Sequence, residues 1–291
     1  MGHAEALSFS GVHHRRPLAP RGALTMAELY IGTSGYDYPE WRGIFYPPDI
    51  SREEFLGFYA GVFNALELNY TYYSLPDEYQ MASMVKRTSE RVHFSVKAHQ
   101  SMTHCVQVST WRDSAREFRK ALYPLEHRGL LLSVLLQFPQ SFHYTVDERR
   151  YLDSLVKELS GLPLVVEFRH ASWQNQRVYT ALQKLNIGWC VCDMPALKAL
   201  PKGRPGGLAP VTATRSYLRF HGRNSTSWYG GDSRSRYEYL YQDAELDSYI
   251  PVVDSLCRQS QIVQIYFNNH AKGNAVVNAQ KMKILASKIP L

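Results

Sequence analysis

The sequence predicts an α/β protein built as a single TIM-like (β/α)8 barrel, and three observations support this fold. Eight short apolar runs recur along the chain, helical patterns lie between them, and nearly every run ends in polar or ionisable residues. Such runs, bounded by turn signals, are typical of strands buried on both faces of a parallel sheet. Eight strand–helix units within 291 residues favour a closed barrel over an open doubly wound sheet. No GxGxxG motif follows the first run, so a dinucleotide-binding fold lacks its fingerprint.

The predicted elements alternate in order along the chain. The strands carry LYIGTSGY, LELNYTYY, HFSVKAH, LLSVLLQF, PLVVEFRH, IGWCVCD, SYLRFHG and IVQIYFNNH. Helical spacing predicts helices over residues 53–63, 77–88, 111–122, 147–159, 174–185, 243–258 and 275–288. Ser51 and Glu54 match a capping box before the first helix. Long loops are predicted after strands 6 and 7, at residues 195–214 and 223–242, and loops of this length often serve as lids.

Composition and charge narrow the function classes only slightly. The net charge of +7 favours anionic ligands, although it is not concentrated in a block and solubility alone explains it. No apolar stretch reaches the ~18 residues that a membrane span needs, and we expect no membrane partner. Four cysteines without a CxxC pair suit a reducing, cytoplasmic location. Residues 1–25 form a basic leader that we expect to be disordered, with Met26 as an alternative start, and residues 26–291 form the barrel domain.

Strand alternation sorts polar side chains from apolar ones. Side chains two positions apart share a face of a strand. Four strands each carry such a polar pair, namely Glu67 with Asn69, Lys97 with His99, Glu167 with Arg169, and Arg219 with His221. The residues between them are apolar and suit the helix-facing side, so we expect the polar set to point into the barrel. We expect Asp193 to join this inward set, with Cys190 and Cys192 facing the helices as buried thiols.

The carboxyl ends of the strands are the expected functional site, because active sites of barrel enzymes lie there. The predicted catalytic residues are His221, His99, Glu167 and Asp193, with a histidine moving a proton and a carboxylate orienting it. The predicted substrate-binding set has three kinds of residue: cations that would clamp an anion, aromatics that would stack on a ring, and small or amide residues near backbone N–H groups. These residues are Lys97, Arg169, Arg219, Asn69, Gln137, His104, Asn268, Asn269, Lys272, Trp173, Trp228, Ser34 and Tyr36.

Two structural interpretations compete with these roles. Buried charges need partners, so Glu67 and Glu167 would serve equally well in an ion-pair network that fills the barrel. Trp173 would serve equally well as an apolar seal at the barrel end. Lys272, beside the start of the last helix, is placed for a phosphate, since helix N-termini bind anions.

The residue types leave several chemistries open. We favour an enzyme, with a hydrolase as the favoured class, acting by general acid–base chemistry on a phosphate- or carboxylate-bearing substrate. A metal-dependent phosphoester hydrolase or nuclease of the endonuclease IV type is an alternative, in which His99, Glu167, Asp193 and His221 would bind a divalent metal against the repulsion of nearby cations. No other cofactor is predicted. A third possibility is a non-catalytic protein whose partner is nucleic acid or an anionic metabolite.

Seven ordered blocks of the chain resemble the YecE-like family, also called domain of unknown function 72. They are IGTSGYDYPEWRGIFYPP, LELNYTYYSLP, FSVKAHQSMTH, LLQFP, VEFRHASW, LRFHGRN and YFNNHAKGNAVVNA. The resemblance begins near residue 29 and continues to the C-terminus. It implies a TIM-like barrel, in agreement with the strand count, and it implies no particular activity.

Overall fold

The predicted barrel is confirmed in a computed structural model of the protein, which describes residues 27–202 and 210–290. Eight parallel strands close into one barrel in which each strand pairs with its neighbours in sequence and β1 pairs with β8. The strands are β1 Glu28–Ser34, β2 Ala65–Leu68, β3 His93–Lys97, β4 Leu131–Gln137, β5 Leu164–Glu167, β6 Gly188–Asp193, β7 Arg215–Phe220 and β8 Ile262–Phe267.

Ten α-helices follow or separate the strands in the described part of the chain. They are α1 Phe55–Tyr59, α2 Glu78–Thr88, α3 Trp111–Ala121, α4 Tyr123–His127, α5 Val146–Glu158, α6 Gln176–Leu185, α7 Ser233–Arg236, α8 Asp243–Asp247, α9 Ile250–Gln259 and α10 Asn274–Ala286. The capping box of Ser51 and Glu54 is present. The helix predicted over 243–258 is divided into α8 and α9, because Pro251 suits the first turn of a new helix and lacks the N–H that would continue α8.

Both predicted long loops are present where the structure describes them. Residues 203–209, within the loop after β6, lie outside the described residues, as does the predicted leader at residues 1–25. The loop after β7 contains the single turn of α7. Among the described helices, none has the length and apolarity that crossing a bilayer requires.

A polar layer fills the middle of the barrel. Ser95 on β3 donates to Gln264 on β8 at 2.8 Å and lies 2.9 Å from the hydroxyl of Tyr266. Gln264 in turn donates to Ser133 on β4 at 2.9 Å. All four side chains are fully buried, so the interior is packed as in other barrels rather than open as a pore. A ligand can therefore reach the inward side chains only from an end of the barrel.

The approach of β1 to β2 depends on a glycine. Gly32 pairs with Ala65, and a Cβ at Gly32 would overlap the carbonyl oxygen of Ala65 and lie 2.8 Å from the Tyr59 hydroxyl. That hydroxyl bridges the two strands, because it donates to the Ala65 carbonyl at 2.9 Å and accepts from the Thr33 N–H at 2.9 Å.

We expect Gly32→Ala to destabilise the protein by about 3 kcal/mol or more, since overpacking here meets backbone rather than a flexible side chain. Gly57→Ala, within α1, is the control, because its Cβ would lie 3.8 Å from the nearest atom and alanine favours a helix. Urea unfolding of the two variants and the parent protein measures both effects. Equal stability of the two variants would contradict this account of the β1–β2 contact.

Candidate functional site

Two buried carboxylates and one arginine bridge the barrel from side to side. Arg219 on β7 donates through Nη1 to Glu167 Oε2 at 2.6 Å and through Nη2 to Glu67 Oε1 at 2.7 Å. Tyr217 donates its hydroxyl to the second oxygen of Glu67 at 2.7 Å. The side chain of Arg219 is 2% exposed and those of both glutamates are 0% exposed. Because both of its terminal nitrogens are used, Arg219 is a structural link rather than the anion clamp that the sequence suggested.

A second arginine lies next to this bridge. Arg169 follows β5, and its Nε donates to Glu167 Oε1. Its Nη2 lies 3.1 Å from Nε2 of His221. No described residue accepts from Nη1, and the side chain is 11% exposed. Burial raises the pKa of Glu167, but Arg169 and Arg219 outweigh burial and hold that pKa well below its usual range.

His221, the residue that follows β7, is enclosed and neutral. Its Nδ1 lies 3.0 Å from the side-chain amide of Asn268, and its Nε2 lies 3.4 Å from Glu167 Oε1. Burial, followed by the positive charge of Arg169, lowers the pKa of His221 to about 3, although Glu167 acts in the opposite direction. A base of that strength takes up few protons at neutral pH, so the predicted proton-transfer role of His221 has weak electrostatic support.

Lys97 is the cation with the least compensation. It is the last residue of β3, and no carboxylate among the described residues lies within ion-pair distance of its ammonium. Its Nζ lies over the ring of Tyr72, 4.1 Å from the centroid. Burial, followed by the charge of Arg219, lowers the pKa of Lys97 to about 7, while Glu167 and Glu67 act in the opposite direction. Lys97 is therefore the group of this cluster whose charge changes near neutral pH.

His104 and Gln137 complete one side of this cluster. The ring of His104 meets that of Tyr72 edge to face at 4.9 Å, and its Nε2 lies 3.4 Å from Gln137 Nε2. Burial, followed by the charge of Lys97 and then that of Arg169, lowers the pKa of His104 to about 4. The sequence placed both residues at the mouth, and the structure brings them together with Lys97.

Aromatic side chains of the loop after β7 cover the side of the cluster formed by Arg169 and His221. Trp228 lies 5.6 Å from the guanidinium of Arg169, and its ring meets that of His221 at 6.3 Å. Tyr237 lies 5.8 Å from the His221 ring. Trp228 is 4% exposed, so it packs over the cluster instead of standing free for stacking. Tyr237 and Tyr72 were not among the predicted site residues; Tyr72 lies in the short 3₁₀ turn after β2, and Tyr237 lies in the loop after β7.

The predicted orientation of β6 is wrong. Cys190 and Cys192 point into the barrel, where their sulfurs lie 3.6 Å apart and Cys190 Sγ lies 3.7 Å from Glu167 Oε2. Asp193 faces the helices, where the hydroxyls of Tyr241 and Tyr249 donate to it at 2.7 and 2.5 Å. Arg223 Nη2 adds an ion pair at 2.7 Å. Trp189 and Val191 lie on the same face of β6 as Asp193. Because bulky apolar residues suit the helix-facing side, these two residues favoured the observed orientation in the sequence.

Several predicted substrate-binding residues have structural partners instead. Asn269 is fully buried and donates to the Tyr239 carbonyl and to Asn278, each at 2.8 Å. Lys272 forms an ion pair with Glu238. Trp173 is 1% exposed and stacks on Phe168 at 4.2 Å, as expected of an apolar seal.

Four further predicted residues lie near strand ends. His99 contacts Ser101, whose Oγ lies 2.9 Å from its Nδ1, and has no contact with His221. Tyr36 is half-buried with its ring 6.4 Å from that of Tyr59. Ser34 Oγ and Asn69 Oδ1 are buried, and no described residue hydrogen-bonds to either atom.

One group of side chains within the described residues has a spacing that metals use. Ligand atoms of Glu167, Cys192 and His221 all lie within 4.8 Å of one another. This set replaces the predicted one, because Asp193 and His99 lie elsewhere. Both oxygens of Glu167 are already occupied by Arg169 and Arg219, and Arg169 also reaches His221 Nε2. Two guanidinium cations at the proposed ligand atoms do not fit a cationic metal.

We expect Arg219→Met to cost about 3–5 kcal/mol of unfolding free energy, since it leaves Glu67 and Glu167 buried without their shared partner. Urea unfolding measures this loss. Arg52→Ala is the control, because Arg52 forms an exposed ion pair with Asp37 and such pairs contribute little. A similar small change in both variants would contradict the bridging role of Arg219.

We expect Lys97→Met to stabilise the protein most at acidic pH. Between its folded pKa of about 7 and its usual value of 10.5, Lys97 binds a proton in the unfolded chain but not in the folded one, so stability rises with pH across that window. Methionine removes this slope, and the advantage of the variant should fall by roughly 2 kcal/mol or more between pH 6 and pH 9.5. Urea unfolding at both pH values, with Lys120→Met as an exposed control, tests this. A gain that did not vary with pH would be inconsistent with a half-buried Lys97 that titrates near neutral pH.

Known proteins are similar to this chain both in sequence and in their barrel fold. The family model described as "Protein of unknown function DUF72" matches residues 30–289. The chain is 30% identical over 270 residues to the UPF0759 protein YunF of Bacillus subtilis, covering 87% of this chain and 93% of that protein.

Two crystal structures of DUF72 family proteins resemble it. That from Thermotoga maritima has a TM-score of 0.82 at 33% identity and covers 90% of this chain and 100% of its own. That from Enterococcus faecalis has a TM-score of 0.79 at 22% identity and covers 89% of this chain and 95% of its own, a likeness of fold. The match over nearly the whole barrel shows that this chain belongs to the DUF72 family.

Proposed function

We propose that the protein is an enzyme that acts on a small carboxylate- or phosphate-bearing substrate by acid–base chemistry at the carboxyl end of the barrel. One observation carries the proposal. Arg169 Nη1 and Lys97 Nζ have no hydrogen-bonding or ion-pair partner among the described residues, whereas Glu67, Glu167 and Arg219 are held in ion pairs with one another. Cations that are partly desolvated and unpaired favour an anionic ligand.

The charge balance of the cluster supports the same conclusion. Glu67 and Glu167 together offset Arg219 and Arg169, and His221 is neutral. A protonated Lys97 is therefore a surplus positive charge in a site of low dielectric constant. A bound anion would compensate it, so binding of the anion and protonation of Lys97 should favour one another.

Within this proposal the acid–base role passes from His221 to Lys97. A catalytic group works best when its pKa lies near the working pH, and the pKa of Lys97 is about 7. His104, with a pKa of about 4, is a neutral neighbour that can accept a hydrogen bond. His221 then acts as a positioning residue, because its Nε2 lies 3.1 Å from Arg169 Nη2.

The depth of the cluster favours a small ligand over nucleic acid. Arg219 is 2% exposed and Arg169 is 11% exposed. A nucleic-acid site would present its cations on the surface, where phosphates of a duplex or strand can reach them. Trp228 also covers Arg169 from the loop side. We therefore propose an anionic small molecule as the partner and place the protein in the cytoplasm, as its free cysteines suggest.

We expect Arg169→Met to weaken binding of inorganic phosphate or pyruvate at least about tenfold, because one charge-assisted hydrogen bond contributes about 1.5–3 kcal/mol. Isothermal titration calorimetry of the two probes measures the affinity, and circular dichroism confirms that the variant is folded. Arg169→Lys keeps the charge but loses the guanidinium fork. Its affinity for each probe should therefore lie between that of the parent protein and that of Arg169→Met.

Arg128→Ala is the matched control for the titration. Arg128 is exposed, pairs with Glu90 and precedes β4, at the opposite end of the barrel. The Arg128→Ala variant should bind phosphate and pyruvate with the affinities of the parent protein. If phosphate and pyruvate bind neither protein, or bind Arg169→Met unchanged, the proposed anion site is wrong.

A further inference from the structure

The Lys97 amine points into the mouth of the barrel from a rigid strand. Ser95, two residues earlier on β3, bonds with Gln264 and Tyr266 inside the barrel, so Lys97 projects to the same side one level nearer the carboxyl end. Its Nζ lies over the Tyr72 ring, and within residues 27–202 and 210–290 no side chain forms a hydrogen bond or ion pair with it. An amine held by a strand and by an aromatic wall is positioned without being consumed by an ion pair.

Other lysines of the described chain are placed differently. Lys120, Lys157, Lys272 and Lys281 each pair with a carboxylate on the outer surface. Lys283 donates to the carbonyl of Val62. Lys97 has arginines for neighbours instead, and a like charge combined with burial is the usual means by which proteins make a lysine amine nucleophilic.

The charged groups that face Lys97 come from several strands and loops. Burial is the largest cause that lowers the pKa of Lys97. Arg219 and Arg169 also oppose its protonation, Glu167 and Glu67 favour it, and the resulting pKa is about 7. About half of the amine is therefore unprotonated at neutral pH, whereas an ordinary lysine is almost wholly protonated. His104 is neutral in the same range and adds no charge.

We propose that Lys97 is a nucleophile that condenses with the aldehyde or ketone group of a small substrate carrying a carboxylate or phosphate. This inference rests on the proposed function, because Arg169 Nη1 would hold the anionic group while Lys97 meets the carbonyl. The substrate class is then narrower than an anion: a 2-oxo acid or a phosphorylated carbonyl compound.

The condensation balances without an oxidant or a reductant. The Nζ lone pair attacks the carbonyl carbon, the C–N bond forms, and the carbonyl π electrons move to oxygen, which takes a proton from nitrogen. The oxygen then leaves as water with a second proton while nitrogen forms the C=N bond. The resulting imine, when protonated, is a cation that Glu67 and Glu167 favour and Arg219 and Arg169 oppose, as they do for the ammonium. The anionic group of the bound substrate would compensate its charge.

Reductive trapping of the full chain tests this step. Protein is incubated with pyruvate, or with dihydroxyacetone as a neutral ketone, and reduced with sodium borohydride, and adducts are located by mass spectrometry of peptides. We expect one pyruvate adduct per chain, on Lys97, with little reaction of dihydroxyacetone. Initial trapping should be about tenfold faster at pH 8 than at pH 6, as the free-amine fraction changes around a pKa of about 7.

Two variants separate the possible outcomes. Lys97→Arg lacks the nucleophilic amine and should give no adduct at position 97. Arg169→Met keeps the amine and should lose the preference for pyruvate over dihydroxyacetone. Phosphate binding without a Lys97 adduct in the parent protein, or adducts spread over surface lysines such as Lys120, overturns the imine and leaves the proposed function intact. Failure to bind phosphate or pyruvate overturns both.

Discussion

The link from Glu67 through Arg219 to Glu167 is the interaction on which the rest of the site depends. It joins β2, β7 and β5 across the barrel with two hydrogen bonds of 2.7 and 2.6 Å. Each of these three charges would be severely destabilising if buried alone, and together they compensate one another, although Nε of Arg219 donates to no described residue. Tyr217 completes it with a hydrogen bond to Glu67. The bridge therefore both fills the upper barrel and fixes where the charges of the mouth must lie.

The properties of the mouth follow from that bridge. Glu167 has one oxygen left for Arg169, which orients that guanidinium and directs its Nη2 to His221. Both arginines keep their protons at any physiological pH, so their field lowers the pKa of every basic neighbour. The two glutamates already offset the two arginines, so no carboxylate of the cluster is left to compensate Lys97. The amine at the end of β3 is left in a desolvated site with two like charges near it, and it is the group that responds by losing its proton.

The sequence predicted the fold well because the eight strands and their periodicity are local signals. It also brought Glu67, Lys97, Glu167, Arg169, Arg219 and His221 to one end of the barrel, since alternation and strand direction suffice for that. The predicted orientation was wrong at β6, where Asp193 lies on the helix-facing side together with the bulky Trp189. The sequence could not predict the ion pairs of the cluster, because the carboxylate that meets Arg219 depends on the stagger of strands that are far apart in the chain. The pKa order of His221 and Lys97 depends on that pairing.

The contrast between these two basic residues shows how position decides chemistry. A histidine is ordinarily the group that titrates near neutral pH, and the sequence alone favoured His221 for that reason. Here Arg169 lies 3.1 Å from its Nε2 and burial is complete, so the ring stays neutral far below that range. Lysine ordinarily titrates at 10.5, and a similar combination of burial and neighbouring arginines moves it to about 7. Burial together with the field of the arginines therefore keeps the histidine neutral at neutral pH and leaves the lysine as the group that titrates there.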